Sequence, residues 1–250
     1  MYKDYIFIIL YLLLVLLFKN GESSLNTKDA IALKQDTRIL GGNEVSPPHS
    51  QPWLARLGPY GRCTGTLISS RHILTAAHCS SIKATLGDHD AAKLEDGEVT
   101  LKVISRKNHP LFWMEGDTAG YDYSIWTLEK KVEFSNTIRP PFLPDTANDD
   151  YLGQSVFNSG WGLSKWNINF TYPDIDWENQ VPRTVKMKVV PMSECLTSEW
   201  LAERLELVKT PGRYLNETNT ICAGIPRNEV ENEWVGPNKG DSGGKLLFLP

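Results

Sequence analysis

From Ile39 onward the chain is written in short apolar stretches that turn-forming residues keep interrupting, such as Thr66 to Ser69, Val99 to Ile104 and Ser124 to Leu128. The cleanest pattern is Val185-Lys186-Met187-Lys188-Val189, where apolar and charged side chains alternate. Alternation with period two sends one face of an extended segment into a core and the other into water. Segments of this kind are half-buried antiparallel strands, and many short strands with few helices predict an all-β architecture. One stretch departs from it: between Ser193 and Val208, Leu201, Leu205 and Val208 recur at helical spacing behind a Ser193 cap. Pro140-Pro141 and the polar tract Asp145 to Asp150 divide the chain into two halves, and Leu163 to Gln180 reads as a long polar and aromatic loop.

A formal charge of -4 at pH 7 removes any general affinity for nucleic acid, whose phosphates require a basic face. Ahead of the strands lies Tyr5 to Phe18, an unbroken apolar run of 14 residues preceded by Lys3 and followed by polar residues. It is shorter than the ~20 residues that cross a bilayer as a helix, so it reads as the core of a signal peptide. The expected division is a signal peptide over 1–22, a polar pro-segment over 23–38 ending at Arg38, and a folded domain over 39–250. This division predicts an extracellular, secreted product with no stable membrane insertion; a signal anchor that stays attached is the rival reading. The cysteines are Cys63, Cys79, Cys195 and Cys222, and an even number in an exported chain predicts disulfides in one of three pairings. Without a Cys-x-x-Cys pair, a zinc site is not expected.

Hydrolysis of an amide at neutral pH needs a nucleophile, a base, a group that orients the base, and donors for the oxyanion. Gly240-Asp241-Ser242-Gly243-Gly244 places a serine among glycines, where missing side chains let backbone N–H groups face a reacting carbonyl. A turn of Gly, Asp and Ser is the bland alternative, but this fixed string is rare in chains of this size. Thr75-Ala76-Ala77-His78-Cys79 follows a strand-like segment, and its small alanines leave room for an imidazole, so His78 is the candidate base. Asp122 stands at the head of the apolar segment Ser124 to Leu128 and is the candidate for orienting that imidazole.

His78, Asp122 and Ser242, in that order and with these surrounding motifs, resemble the trypsin/chymotrypsin-like serine protease family over Ile39 to Pro250. The resemblance implies two antiparallel Greek-key barrels of six strands each, the first over about 39–140 and the second from about 141, opened by the landmark Ser159-Gly160-Trp161-Gly162. It implies a serine endopeptidase made as a zymogen. Cleavage after Arg38 by an activating protease would free Ile39, whose ammonium would pair with Asp241 inside the protein. Backbone N–H groups of Gly240 and Ser242 would form the oxyanion hole. The implied disulfides are Cys63 with Cys79 and Cys195 with Cys222. Protein or peptide substrates and protein protease inhibitors are the implied partners, and no cofactor is required.

The sequence also departs from the family's pattern. Asn238 stands where the family has a cysteine, and Val156 and Phe248 stand where it has another bridge. Gly236 falls at the base of the substrate pocket, where trypsin-like members have an aspartate, which argues mildly against cleavage after Lys or Arg. The sequence stops at Pro250, eight residues past Ser242, so the expectation is an incomplete record with an unfinished second barrel. An inactive homologue serving as a secreted binding or regulatory module is the alternative to an enzyme. Asp88, Asp90, Glu95 and Glu98 resemble the calcium loop of some family members; a solvated acidic loop is the other reading. His89 in that loop is expected to be exposed, and His49, His72 and His109 to have ordinary packing or surface roles. Asn169 and Asn216 head N-glycosylation acceptors.

Overall fold

The computed structural model describes residues 5–9, 42–58, 63–112, 121–143, 151–162, 181–196, 220–226, 242–244 and 246–248. In chain order its strands are β1 (Tyr5–Ile9), β2 (Asn43–Glu44), β3 (Leu54–Leu57), β4 (Cys63–Ser69), β5 (His72–Thr75), β6 (Lys83–Leu86), β7 (Val99–Asn108) and β8 (Ser124–Leu128). The second half contributes β9 (Ser155–Gly160), β10 (Arg183–Val189), the short helix α1 (Met192–Leu196), β11 (Cys222–Pro226) and β12 (Leu246–Phe248).

Strands β3 to β8 close into an antiparallel barrel in the order β3-β4-β5-β8-β7-β6. β3, β4 and β5 follow one another as neighbours, while β6 returns to lie beside β3, which is the Greek-key connection the sequence predicts. Inward positions are apolar: Leu57, Leu67, Ile73, Leu86, Leu101, Trp126 and Leu128 form one core. Burying an aliphatic side chain of that size contributes about 1.5–3 kcal/mol. Trp126 is wholly enclosed, and the guanidinium of Arg106 covers its ring at 4.8 Å.

The second half forms a six-stranded antiparallel sheet, β1-β11-β10-β9-β12 with β2 pairing to β10, packed over Val156, Val185, Met187, Val189 and Ala223. The alternation read in Val185 to Val189 is realised on β10, with its valines and methionine buried and its lysines exposed. Phe248 lies opposite Val156 in the β12–β9 register, so the residues at the positions of the absent bridge are cross-strand partners.

Asn43 and Glu44, early in the first half, pair with Thr184 and Arg183 of β10 and so join the second sheet. Within the apolar N-terminal run, Tyr5–Ile9 is a strand antiparallel to β11, so its backbone groups are satisfied by a sheet edge. Of the helix expected over Ser193 to Val208, the described part is α1; Leu201, Leu205 and Val208 lie outside the described residues. No helix among the described residues is long and apolar enough to cross a membrane.

Candidate active site

The ladder between β5 and β8 sets Thr75 opposite Ser124, and the chain then leaves β5 through the buried alanines 76 and 77 into a turn that Cys79 closes on Ala76. Asp122 stands two residues before Ser124 on the facing strand's approach. This register brings His78 and Asp122 together, although 44 positions separate them. His78 meets both oxygens of one carboxylate: its backbone N–H donates to Oδ1 at 2.8 Å and its ring Nδ1 donates to Oδ2 at 2.6 Å. Because a carboxylate accepts, the proton belongs on Nδ1, and Nε2 keeps its lone pair. The Asp122 side chain is 2% exposed and that of His78 26%, so the carboxylate is sealed in while the ring reaches solvent.

Ser242 enters through its backbone. Its carbonyl accepts the N–H of Thr64 on β4 at 2.8 Å, and Gly244 O accepts from Asn158 Nδ2 on β9 at 3.2 Å. The serine turn is therefore held between the barrel and the second sheet. Gly243, at φ +78, rests directly on the approach to His78: a Cβ there would lie 2.5 Å from Thr64 O and 2.7 Å from Ala76 N, and closer still to Thr75 Oγ1. Only glycine fits this conformation and this contact.

Cys63 and Cys79 form a disulfide with Cα atoms 6.1 Å apart, and Cys195 and Cys222 form the other, also at 6.1 Å. Cys79 Sγ lies 3.9 Å from His78 Nε2 and 3.7 Å from Ser242 O, so the imidazole and the serine peptide flank one sulfur. Cys63, His78 and Cys79 are also the group of potential metal ligands drawn together among the described residues. Their sulfurs are bonded to each other and offer no thiolate, which leaves a disulfide beside an imidazole and no metal site.

In the acidic loop each carboxylate has a partner from the protein itself. Asp88 is paired with the Arg56 guanidinium and Asp90 with Lys93. Glu95 accepts the N–H groups of His89 and Asp90, and Glu98 accepts that of Glu95. Asp88 Oδ1 is buried without a hydrogen-bond partner, and these four carboxylates do not form a group of potential metal ligands drawn together among the described residues. Burial pushes the Asp88 carboxyl above the usual range, against the pull of Arg56 and helped by Glu98 and Glu95. His89, expected to be exposed, is 5% exposed and bonds Glu44 Oε1 through Nε2 at 2.9 Å. Its ring also lies 5.6 Å from that of His49. His72 bonds the Ser69 hydroxyl, His109 stacks on Tyr121, and His49 lies 3.8 Å from Glu95, which are packing roles as expected.

Arg38, Ile39, Gly236, Gly240, Asp241, Asn169 and Asn216 lie outside the described residues. Conversely, Thr64, Thr75 and Asn158 hold the serine turn without having stood out in the sequence. All three are buried polar residues, a property that shows only once the strands are packed.

A family model for the trypsin domain matches residues 39–248. The chain is 30% identical over 219 residues to chymase of Papio hamadryas, covering 84% of this chain and 76% of the relative. Kallikrein-15 of Homo sapiens is 30% identical over 224 residues, 86% of this chain and 78% of the relative. Granzyme B(G,H) of Mus musculus is 30% identical over 216 residues, with 84% and 76% covered. Among solved structures, neuropsin, described as a serine protease expressed in the limbic system of mouse brain, superposes with a TM-score of 0.60 at 28% identity, covering 84% of this chain and 82% of its own.

Proposed function

Because the chain belongs to the trypsin family of serine proteases, we propose that it is the precursor of a secreted serine endopeptidase that hydrolyses peptide bonds through an acyl-enzyme. The observation that carries the reading is the two-point grip of Asp122 on His78, which places the proton on Nδ1 and leaves the Nε2 lone pair to act as the base. Ser242 Oγ attacks the substrate carbonyl while Nε2 takes its proton; the imidazolium is stabilised by Asp122 and returns the proton to the leaving amine. Water then repeats the sequence on the acyl-enzyme. Backbone N–H groups of Gly240 and Ser242 receive the oxyanion, and each such donor lowers the barrier by about 2.7–4 kcal/mol.

Cleavage after Arg38 by an activating protease gives Ile39 a new ammonium, and its partner is Asp241, beside the nucleophile. A buried carboxylate is costly without a cation, so this pairing switches the serine loop into its working shape. Secretion follows from the apolar N-terminal run, proteins and peptides are the substrates, and protein protease inhibitors are natural partners.

The test is direct. Protein cleaved after Arg38 and treated with a fluorophosphonate is expected to carry the label on Ser242, with no label in Ser242→Ala and a strongly slowed reaction in His78→Ala. A cleaved, folded protein whose Ser242 stays unlabelled would make the chain a binding or regulatory homologue.

A further inference from the structure

Thr64 lies at the start of β4, is fully buried, and directs three polar groups toward three different parts of the molecule. Its N–H donates to Ser242 O at 2.8 Å, its carbonyl accepts the Thr75 hydroxyl at 2.8 Å, and its own hydroxyl accepts the Trp161 N–H at 3.4 Å. These partners are the serine turn, the end of the strand that leads into His78, and the first residue after β9 in the second sheet. Any residue but proline at position 64 would supply the two backbone bonds. Only a hydroxyl there supplies the third.

We propose that the Thr64 side chain is a positioning residue for the hydrolysis assigned above, on which this inference rests. It touches no reacting atom. Its hydroxyl fastens the entry of the second half, at the buried Trp161, onto the residue whose backbone carries the serine. Losing that acceptor leaves a buried N–H without this partner, and the chain relaxes to satisfy it. The relaxation is transmitted because nothing between the parts is slack. Gly243 sits so close to Thr64 O and Ala76 N that a Cβ would meet them at 2.5 and 2.7 Å. A shift of Thr64 therefore displaces the serine turn relative to the histidine turn, and alignment of nucleophile and base is what sets the chemical step.

The experiment compares the parent with Thr64→Val, which keeps the branched shape without the hydroxyl, and Thr64→Ser, which keeps the hydroxyl. Thr64→Ala removes the hydroxyl with less bulk should valine disturb folding. Each protein is cleaved after Arg38, its active sites are counted by fluorophosphonate labelling, and turnover of fluorescently labelled casein is expressed per labelled site. Valine or alanine is expected to lower kcat about tenfold with KM within about twofold, and serine to restore kcat to within about threefold of the parent. A role in stability alone would lower Tm and leave turnover per site untouched. Parent-level turnover per site in either hydroxyl-free variant that folds would overturn the positioning role while leaving the peptidase reading intact. A parent protein that takes no label at Ser242 would overturn both.

Discussion

Asp122 presents both carboxylate oxygens to a single residue, and that grip decides which ring nitrogen of His78 carries the proton. Asp122→Asn would turn an amide N–H₂ toward Nδ1 and move the proton to Nε2, so the base would lose its lone pair. The expected loss is about 10⁴-fold in kcat with the fold intact, measured by steady-state turnover alongside Tm. Asp88 behaves oppositely to a paired surface acid. Its folded pKa is raised above 3.8, mainly by burial, so the folded state binds the proton more tightly than the unfolded chain. Its contribution to stability is therefore greatest below that value and is lost as pH rises through the folded pKa. Denaturation of the parent and Asp88→Asn across that acid window should show the parent's extra stabilisation on acidification disappearing in the variant. At this scale His78 and Ser242 were legible because their neighbours form rare strings. Thr64 was not, since a threonine in a strand carries no mark of what its hydroxyl reaches.

The site is a product of register as much as of motif. Thr75 faces Ser124 across the β5–β8 ladder, and a slip of one residue would turn the approach to Asp122 away from His78. The serine turn has even less freedom. Gly243→Ala places a Cβ against Thr75, Thr64 and Ala76 at a left-handed φ of 78, and the expected result is loss of Ser242 labelling together with a destabilisation of about 2 kcal/mol or more, read by chemical denaturation. The loop of residues 88–98 holds itself together with Arg56, Lys93 and its own backbone N–H groups. Addition of calcium, or of a chelator, is accordingly expected to leave Tm unchanged; a rise of several degrees with calcium would show that the carboxylates regroup around the ion. The acidic sequence of the loop was readable, but the guanidinium that meets Asp88 comes from β3, 32 residues earlier, and no local pattern announces it.

On the scale of the whole molecule, the two halves meet at the serine turn and are also sewn together by β2, which leaves the first half to pair with β10. The Cys63–Cys79 bridge lies at that junction and spans 16 positions. Replacing both cysteines by alanine is expected to cost about 3 kcal/mol, lowering Tm by roughly 6–12 °C in a thermal melt, and to loosen the turn bearing His78. The all-β class, the strand alternation, the cysteine pairing implied by family resemblance and the order of His78, Asp122 and Ser242 could all be read from the sequence. Such features are local or depend on recurring strings, and periodicity and residue chemistry survive in one dimension. The burial of His89 beside Glu44, the pairing of Asp88 with Arg56 and the three-way junction at Thr64 were decided only by tertiary structure. Each of these depends on which distant backbone or side chain supplies a partner to a buried polar group. That choice is made by packing the chain against itself.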